Sequence, residues 1–125
     1  MKGATEKFIG RGGNIKNLNI IKVPGTFEVP GTVNIVLQNK KPDLIITLGV
    51  VIKGETTHFE YICSSIAQSL SELTINHNIP IIFGILTTYN KEQAIERSSV
   101  TRGNKGGEAM KTGLSMIDIY DHLKN

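Results

Sequence analysis

The stretch DLIITLGVVI (43–52) runs without a break into KGETTHFEY (53–61), and no other segment constrains the architecture of this chain as strongly. A nearly continuous apolar run of this length is how a central parallel strand covered on both faces reads. It breaks at Gly54, sets Glu55, Thr56, Thr57 and His58 in a row, and then gives way to a helical pattern. From Phe59 onward, Ile62, Ile66, Leu70 and Leu73 follow the three- and four-residue spacing of a buried helical stripe, which Asn76 to Pro80 should end.

On either side of it, PIIFGILTT (80–88) reads as another buried strand, and LNIIKV (18–23) as a β-branched strand closed by Pro24 and Gly25. Helices are predicted over 2–10, ended by Gly12 and Gly13, and over 28–40, where Pro30 is tolerated in a first turn. A short helix KEQAIERS follows Asn90 as its N-cap. A last one runs from about Lys105, with Met110, Leu114, Ile117 and Tyr120 on one face. The order α, β, α, β, α, β, α, α predicts the α/β class, a three-layer α/β/α sandwich whose parallel sheet is joined by right-handed crossovers. Sites in such sheets lie beyond the carboxyl ends of the strands. That rule selects PGTFE, KGETTH and TTYN, which should meet at one rim. A fourth polar stretch, ERSSVTRGNKGGE, is too rich in Gly, Ser and Thr to be a core element.

At 125 residues, 39% hydrophobic and 20% charged, the chain suits one compact domain. Its formal charge of +3 is small and its basic residues are scattered, which argues against nucleic-acid binding and leaves an anionic small ligand open. No apolar run approaches the roughly 20 residues of a membrane span, and MKGATEKF lacks a secretory apolar core, so a cytoplasmic protein is expected. The single cysteine, Cys63, has no partner for a disulfide and none at zinc-ligand spacing. No Walker loop is present.

In KGETTHFEY the threonines stand where a helix begins, so backbone N–H groups and hydroxyls would face an anion. Thr56 or Thr57 also fits as a plain N-cap. His58 is either a surface histidine or a general acid/base, since its unperturbed pKa lies near neutrality. His77 and His122 sit at helix ends and read as solvated. Arg97 and Arg102 are solvated charges or phosphate ligands, for which a guanidinium is suited. Lys105 fits a helix start. Phe27 and Phe83 are core residues or, at a rim, aromatic faces for a flat ring. Dipole stabilisation alone explains Glu28 at a helix opening. Cys63 reads as structural.

Together, VPGTFEVP, GVVIKGETTHFEY, PIIFGILTTYNKEQAIERS and GNKGGEA resemble, in order and spacing, the signature segments of the lumazine synthase family, from about Val23 onward. The resemblance implies a flavodoxin-like fold and the condensation of 5-amino-6-ribitylaminouracil with 3,4-dihydroxy-2-butanone 4-phosphate to 6,7-dimethyl-8-ribityllumazine, with no metal or organic cofactor. It implies homo-oligomers with sites between subunits, as a pentamer, a decamer or a 60-mer shell. Carried over, Thr26, Phe27 and Glu28 line the ribitylaminouracil pocket, and the backbone of Val50, Val51 and Ile52 pairs with the pyrimidine. Glu55 and Thr56 hold the phosphate, and His58 moves protons. From the adjacent subunit, Phe83 packs on the ring, Arg97 grips the phosphate and Lys105 lies near the pyrimidine.

One departure accompanies the match. Family members normally carry a further strand and an Arg-Phe-Asn or similar aromatic loop ahead of this region, so residues 1–125 are expected to form an N-terminally shortened single domain. Neither Phe8 nor Phe27 takes the role of that loop. Two alternatives follow: a catalytically impaired structural or carrier homologue, and an archaeal-type riboflavin synthase, against which GETTHFEY and GNKGGE argue.

Overall fold

The structure, a computed structural model, describes residues 1–53 and 58–125. Helix α1 (Lys2–Gly10) is followed by two 3₁₀ turns, Ile15–Asn17 and Thr26–Glu28. Then come α2 (Val29–Asn39), β1 (Ile45–Ile52), α3 (Phe59–His77), β2 (Ile81–Thr88), α4 (Lys91–Ser98) and α5 (Lys105–Lys124). Strands β1 and β2 pair in parallel, in register from Ile45 opposite Ile81 to Ile52 opposite Thr88. Thr47, buried within the pair, satisfies its hydroxyl by donating to the Ile82 carbonyl at 2.8 Å.

Alternation along the two strands sorts their side chains onto two faces. Ile45, Val51, Ile81 and Ile85 face one way and join Val29, Val33 and Leu37 of α2 and Ile66 and Leu70 of α3 in a single core cluster. Leu44, at the entry to β1, and Ile82 and Gly84 of β2 face the other way, against Ala109 and Gly113 of α5. Helices therefore cover both faces, as a continuous apolar strand requires. The α2 residues recur every four positions, and Ile62, Ile66, Leu70 and Leu73 of α3 all reach the same cluster, so the helical stripe expected from the sequence is the buried one. Helix α1 packs on α5. Among the described residues no helix is long and apolar enough to cross a membrane.

The helix ends follow local chemistry. Asn90 accepts from the Gln93 N–H at 2.8 Å and starts α4 where the sequence places it. Asn104 does the same for α5, accepting from Gly107 N–H at 3.2 Å. Asn78, left-handed at φ 56°, closes α3.

The predicted strand at 18–23 is not formed: the sheet has two strands among the described residues, and this segment joins no ladder. The backbone is extended at Leu18 (φ −104°, ψ 117°), as a β-branched run favours. A strand nevertheless needs a neighbour to bond, and here Ile20 and Ile21 are exposed and only Val23 packs against the core. Composition set the backbone conformation and not the partner.

Gly84 is the closest approach in the second layer: a Cβ there would lie 2.5 Å from the Thr47 carbonyl oxygen and 3.2 Å from the Ala109 Cβ. Gly84→Val should therefore push α5 off the sheet. A loss of about 1–3 kcal/mol is expected, measured as a lowered denaturant midpoint; an unchanged midpoint would refute this packing.

Candidate active site

Because β1 and β2 end level, the segments after them start side by side. The 3₁₀ turn Thr26–Glu28 closes on this region from the α2 side. Thr26 seats on Gly49 of β1, where a Cβ would stand 2.8 Å from Thr26 Cγ2. The turn is tied by Glu28 N–H donating to the Gly25 carbonyl at 3.2 Å. Phe27 is 55% exposed, so its ring is not a core residue and offers a face to solvent. Glu28 is exposed as well, with its carboxylate over the Gly25 backbone. PGTFE thus reaches β1 although no strand precedes it among the described residues.

Val51 is buried, Ile52 half-buried and Val50 exposed. On one side their backbone pairs with Leu86, Thr87 and Thr88; on the other, no strand pairs with β1 among the described residues. Main-chain donors and acceptors along that outer edge are available to a flat hydrogen-bonding ligand. His58 is the N-cap residue of α3, exposed, and its carbonyl accepts from Ile62 N–H at 2.9 Å. Glu55 and Thr56, the expected phosphate ligands, lie outside the described residues, as does Thr57.

Phe83 and Lys105 come together elsewhere. They line a cleft of about 340 Å³ with Ile81, Ile82, Glu108 and Ala109. Three consecutive strand residues, Ile81 to Phe83, can share one cleft only along the strand's edge, since neighbours point to opposite faces. The cleft therefore lies on the outer edge of β2, roofed by the first turns of α5. Phe83, 40% exposed, presents its ring there, and Lys105 stands at the start of α5. Glu108 adds a carboxylate that sequence reasoning does not single out; its i+3 spacing from Lys105 is the available signal.

Arg97, in the last turn of α4, donates from Nη1 to the Thr87 carbonyl at 3.3 Å. That bond uses one of five guanidinium donors and anchors the group at the end of β2. The link from α4 to α5 is a tight turn, with Asn104 N–H donating to the Ser99 carbonyl at 2.7 Å. Arg102, within it, is exposed. Cys63 packs against the core, and burial pushes its thiol up, with Glu60's charge adding to the shift, so the nucleophilic thiolate is disfavoured. Among the described residues no group of three His, Cys, Asp or Glu side chains is placed to hold a metal ion.

Comparison with known proteins bears directly on this arrangement. The family model for 6,7-dimethyl-8-ribityllumazine synthase matches residues 1–121. The chain belongs to the lumazine synthase family. It is 41% identical over 124 residues to the 6,7-dimethyl-8-ribityllumazine synthase of Campylobacter hominis, covering 99% of this chain and 80% of that protein. The enzyme of the same name from Campylobacter jejuni is 42% identical over 123 residues, covering 98% and 80%. That from Sulfurospirillum multivorans is 38% identical over 125 residues, covering 100% and 80%. The mixed α/β architecture with its parallel pair is consistent with this family.

The seating of Thr26 on Gly49 has a direct test. Gly49→Ala should displace the Thr26–Glu28 turn and cost about 1–3 kcal/mol, and Thr26→Ser, which removes the opposing methyl group, should recover much of that loss in the double variant. Thermal unfolding of all four proteins of the cycle measures it, and strictly additive effects would show that the two residues do not press on one another.

Proposed function

We propose that this chain condenses 5-amino-6-(D-ribitylamino)uracil with 3,4-dihydroxy-2-butanone 4-phosphate, releasing phosphate and water and forming 6,7-dimethyl-8-ribityllumazine, the penultimate step of riboflavin biosynthesis. It is a transferase acting on small molecules. The observation that carries the reading is a family match over residues 1–121, and the cleft that Phe83 and Lys105 line and the seating of Thr26 on β1 support it.

On the β1 side, the outer backbone edge of Val50 to Ile52 pairs with the pyrimidine. Thr26 and Phe27 flank it, and Glu28 accepts from ribityl hydroxyls. Beyond the strand, Glu55 and Thr56 hold the phosphate ahead of α3. The 19-residue α3 directs its positive end at that anion. On the β2 side, Phe83 packs on the ring system, Lys105 lies near the pyrimidine and Arg97 grips the phosphate.

These two parts lie on opposite edges of the β1–β2 pair. In this reading a second copy docked edge to edge brings the β2 side of one to the β1 side of the next. Such a contact is heterologous, and it forms a ring when the rotation between copies closes. A pentamer is the expected ring, with decamers or 60-mer shells built from it. The 125 residues act as one domain, in the cytoplasm.

The chemistry needs proton transfers and an anion cradle. The primary amine of the uracil adds to the ketone and water leaves; phosphate departs by elimination; the ribityl-bearing amine then adds to the carbonyl this leaves, and a second water is lost as the ring closes. His58, at the start of α3, accepts and returns protons in these steps. Arg97 and the α3 N-terminus stabilise the departing phosphate. Holding amine and ketone together supplies much of the remaining acceleration, because the two react without an enzyme.

His58→Ala is accordingly expected to lower kcat by about 10²–10⁴-fold while leaving measurable acceleration over the uncatalysed reaction, followed as lumazine absorbance. A variant with intact substrate binding and no acceleration at all would contradict a proton-transfer role confined to part of the barrier. Size-exclusion chromatography with light scattering tests the ring: a monomer that turns over substrate would refute the shared site.

A further inference from the structure

Arg97 and Lys105, the two cations of the β2 side, are joined by the short link between α4 and α5. Arg97 is anchored at its own end by the bond to the Thr87 carbonyl. The link then turns back on the last turn of α4 through backbone bonds. Arg102 N–H donates to the Ser99 carbonyl at 3.2 Å, Gly103 N–H to the Glu96 carbonyl at 3.1 Å, and Asn104 N–H to the Ser99 carbonyl at 2.7 Å. Asn104 takes a left-handed conformation (φ 44°, ψ 51°) and its side chain accepts from Gly107 N–H at 3.2 Å, which sets the direction in which α5 leaves.

Glycines press against this link from two sides. A Cβ on Gly103 would stand 2.6 Å from Arg97 Cα and 2.7 Å from the Arg97 carbonyl oxygen, backbone atoms that cannot swing aside. The φ of Gly103 is not positive, so this close approach, and not the conformational freedom of glycine, is what excludes a side chain there. From the other side α1 closes on Asn104: a Cβ on Gly3 would overlap Asn104 Oδ1, and one on Gly106 would lie 3.2 Å from the Ala4 nitrogen. Gly3 and Ala4 are buried accordingly. The link is thus held from within by its hydrogen bonds and from outside by α4 and α1, and Lys105 follows it directly.

We propose that Gly103 and Asn104 are positioning residues that set the separation of Arg97 from Lys105, and through it the separation of the two bound substrates. The inference rests on the reading of Arg97 as the phosphate ligand and of Lys105 as the neighbour of the pyrimidine, both supplied by one copy of the chain. Each cation by itself holds one substrate, and the link adds their spacing. A condensation gains from that spacing, because holding amine and ketone at a near-attack distance removes much of the entropy cost of a bimolecular step. A displacement of about 1 Å can cost about 10²-fold in rate. Gly103 and Asn104 act through their neighbours: the first keeps α4 close, and the second aims the start of α5.

Calorimetry on the 125-residue chain separates spacing from folding. The probes are inorganic phosphate, the ribitylaminouracil, and a linked ligand in which an alkyl phosphonate hangs from the uracil 5-amino group. Gly103→Ala is expected to bind each separate probe within about twofold of the wild type at unchanged stoichiometry, and the linked ligand about tenfold more weakly. Its kcat should fall by about 10- to 10²-fold. Gly3→Ala presses on a side chain instead of backbone, so it should show the same pattern in milder form, and it carries the test if Gly103→Ala does not fold. Asn104→Gly keeps the left-handed turn and removes the opposed amide, so combining it with Gly3→Ala should restore most of what Gly3→Ala loses. A linked ligand that weakens no more than its two parts, parts that weaken along with it, or a stoichiometry that falls in both glycine variants would each overturn the proposal. A chain that shows this binding pattern yet forms no lumazine would instead remove the assigned reaction and leave the spacing role standing.

Discussion

The parallel ladder between β1 and β2 is the constraint on which everything else in this molecule hangs. Its register sets Ile52 opposite Thr88, and so the chain leaves both strands at the same level. Adjacent strands lie roughly 5 Å apart, so Lys53 and Tyr89 become neighbours and Arg97 finds the Thr87 carbonyl. The same register puts Ile45, Val51, Ile81 and Ile85 on one face for α2 and α3, and leaves the other face for α5. A slip of one residue would exchange those faces and bury the wrong set.

With two strands among the described residues, the sheet has two outer edges close together, and both border residues of the proposed site. The edge of β1 presents backbone groups beside Thr26 and the exposed Phe27. The edge of β2 presents an aromatic ring and an ammonium around a cleft. Large apolar side chains left exposed beside polar groups mark contact surfaces more often than chance. Phe27, Phe83 and Val50 are of that kind, and each borders a proposed half-site. In the proposed ring, substrate binding and subunit contact would draw on the same surfaces.

Much of the fold was legible in the residues because its signals are local. The α3 stripe, the cap Asn90, the helix start at Lys105 and the two apolar strands each follow from side chains within a few positions of one another. The segment 18–23 failed for the complementary reason. β-Branching favours an extended backbone, but a ladder is a property of two segments, and Ile20 and Ile21 face solvent with no strand beside them among the described residues. Phe27 and Phe83 were open between core and surface on composition alone; only the folded chain showed that neither is buried. Lys53 and Tyr89 carry no motif, and their pairing arises from the register alone.

Residue order alone was enough for the class of the fold, the position of nearly every helix and of the two strands that pair, and the family to which the chain belongs. Those are consequences of periodicity, capping and motif spacing, all short-range along the chain. Packing in three dimensions settled which segments pair, which aromatic rings reach solvent, and that Phe83 and Lys105 share one cleft while Thr26 sits on the far side of the sheet. Those depend on contacts between residues far apart in sequence, where many pairings suit the same local preferences and only the packed whole selects one.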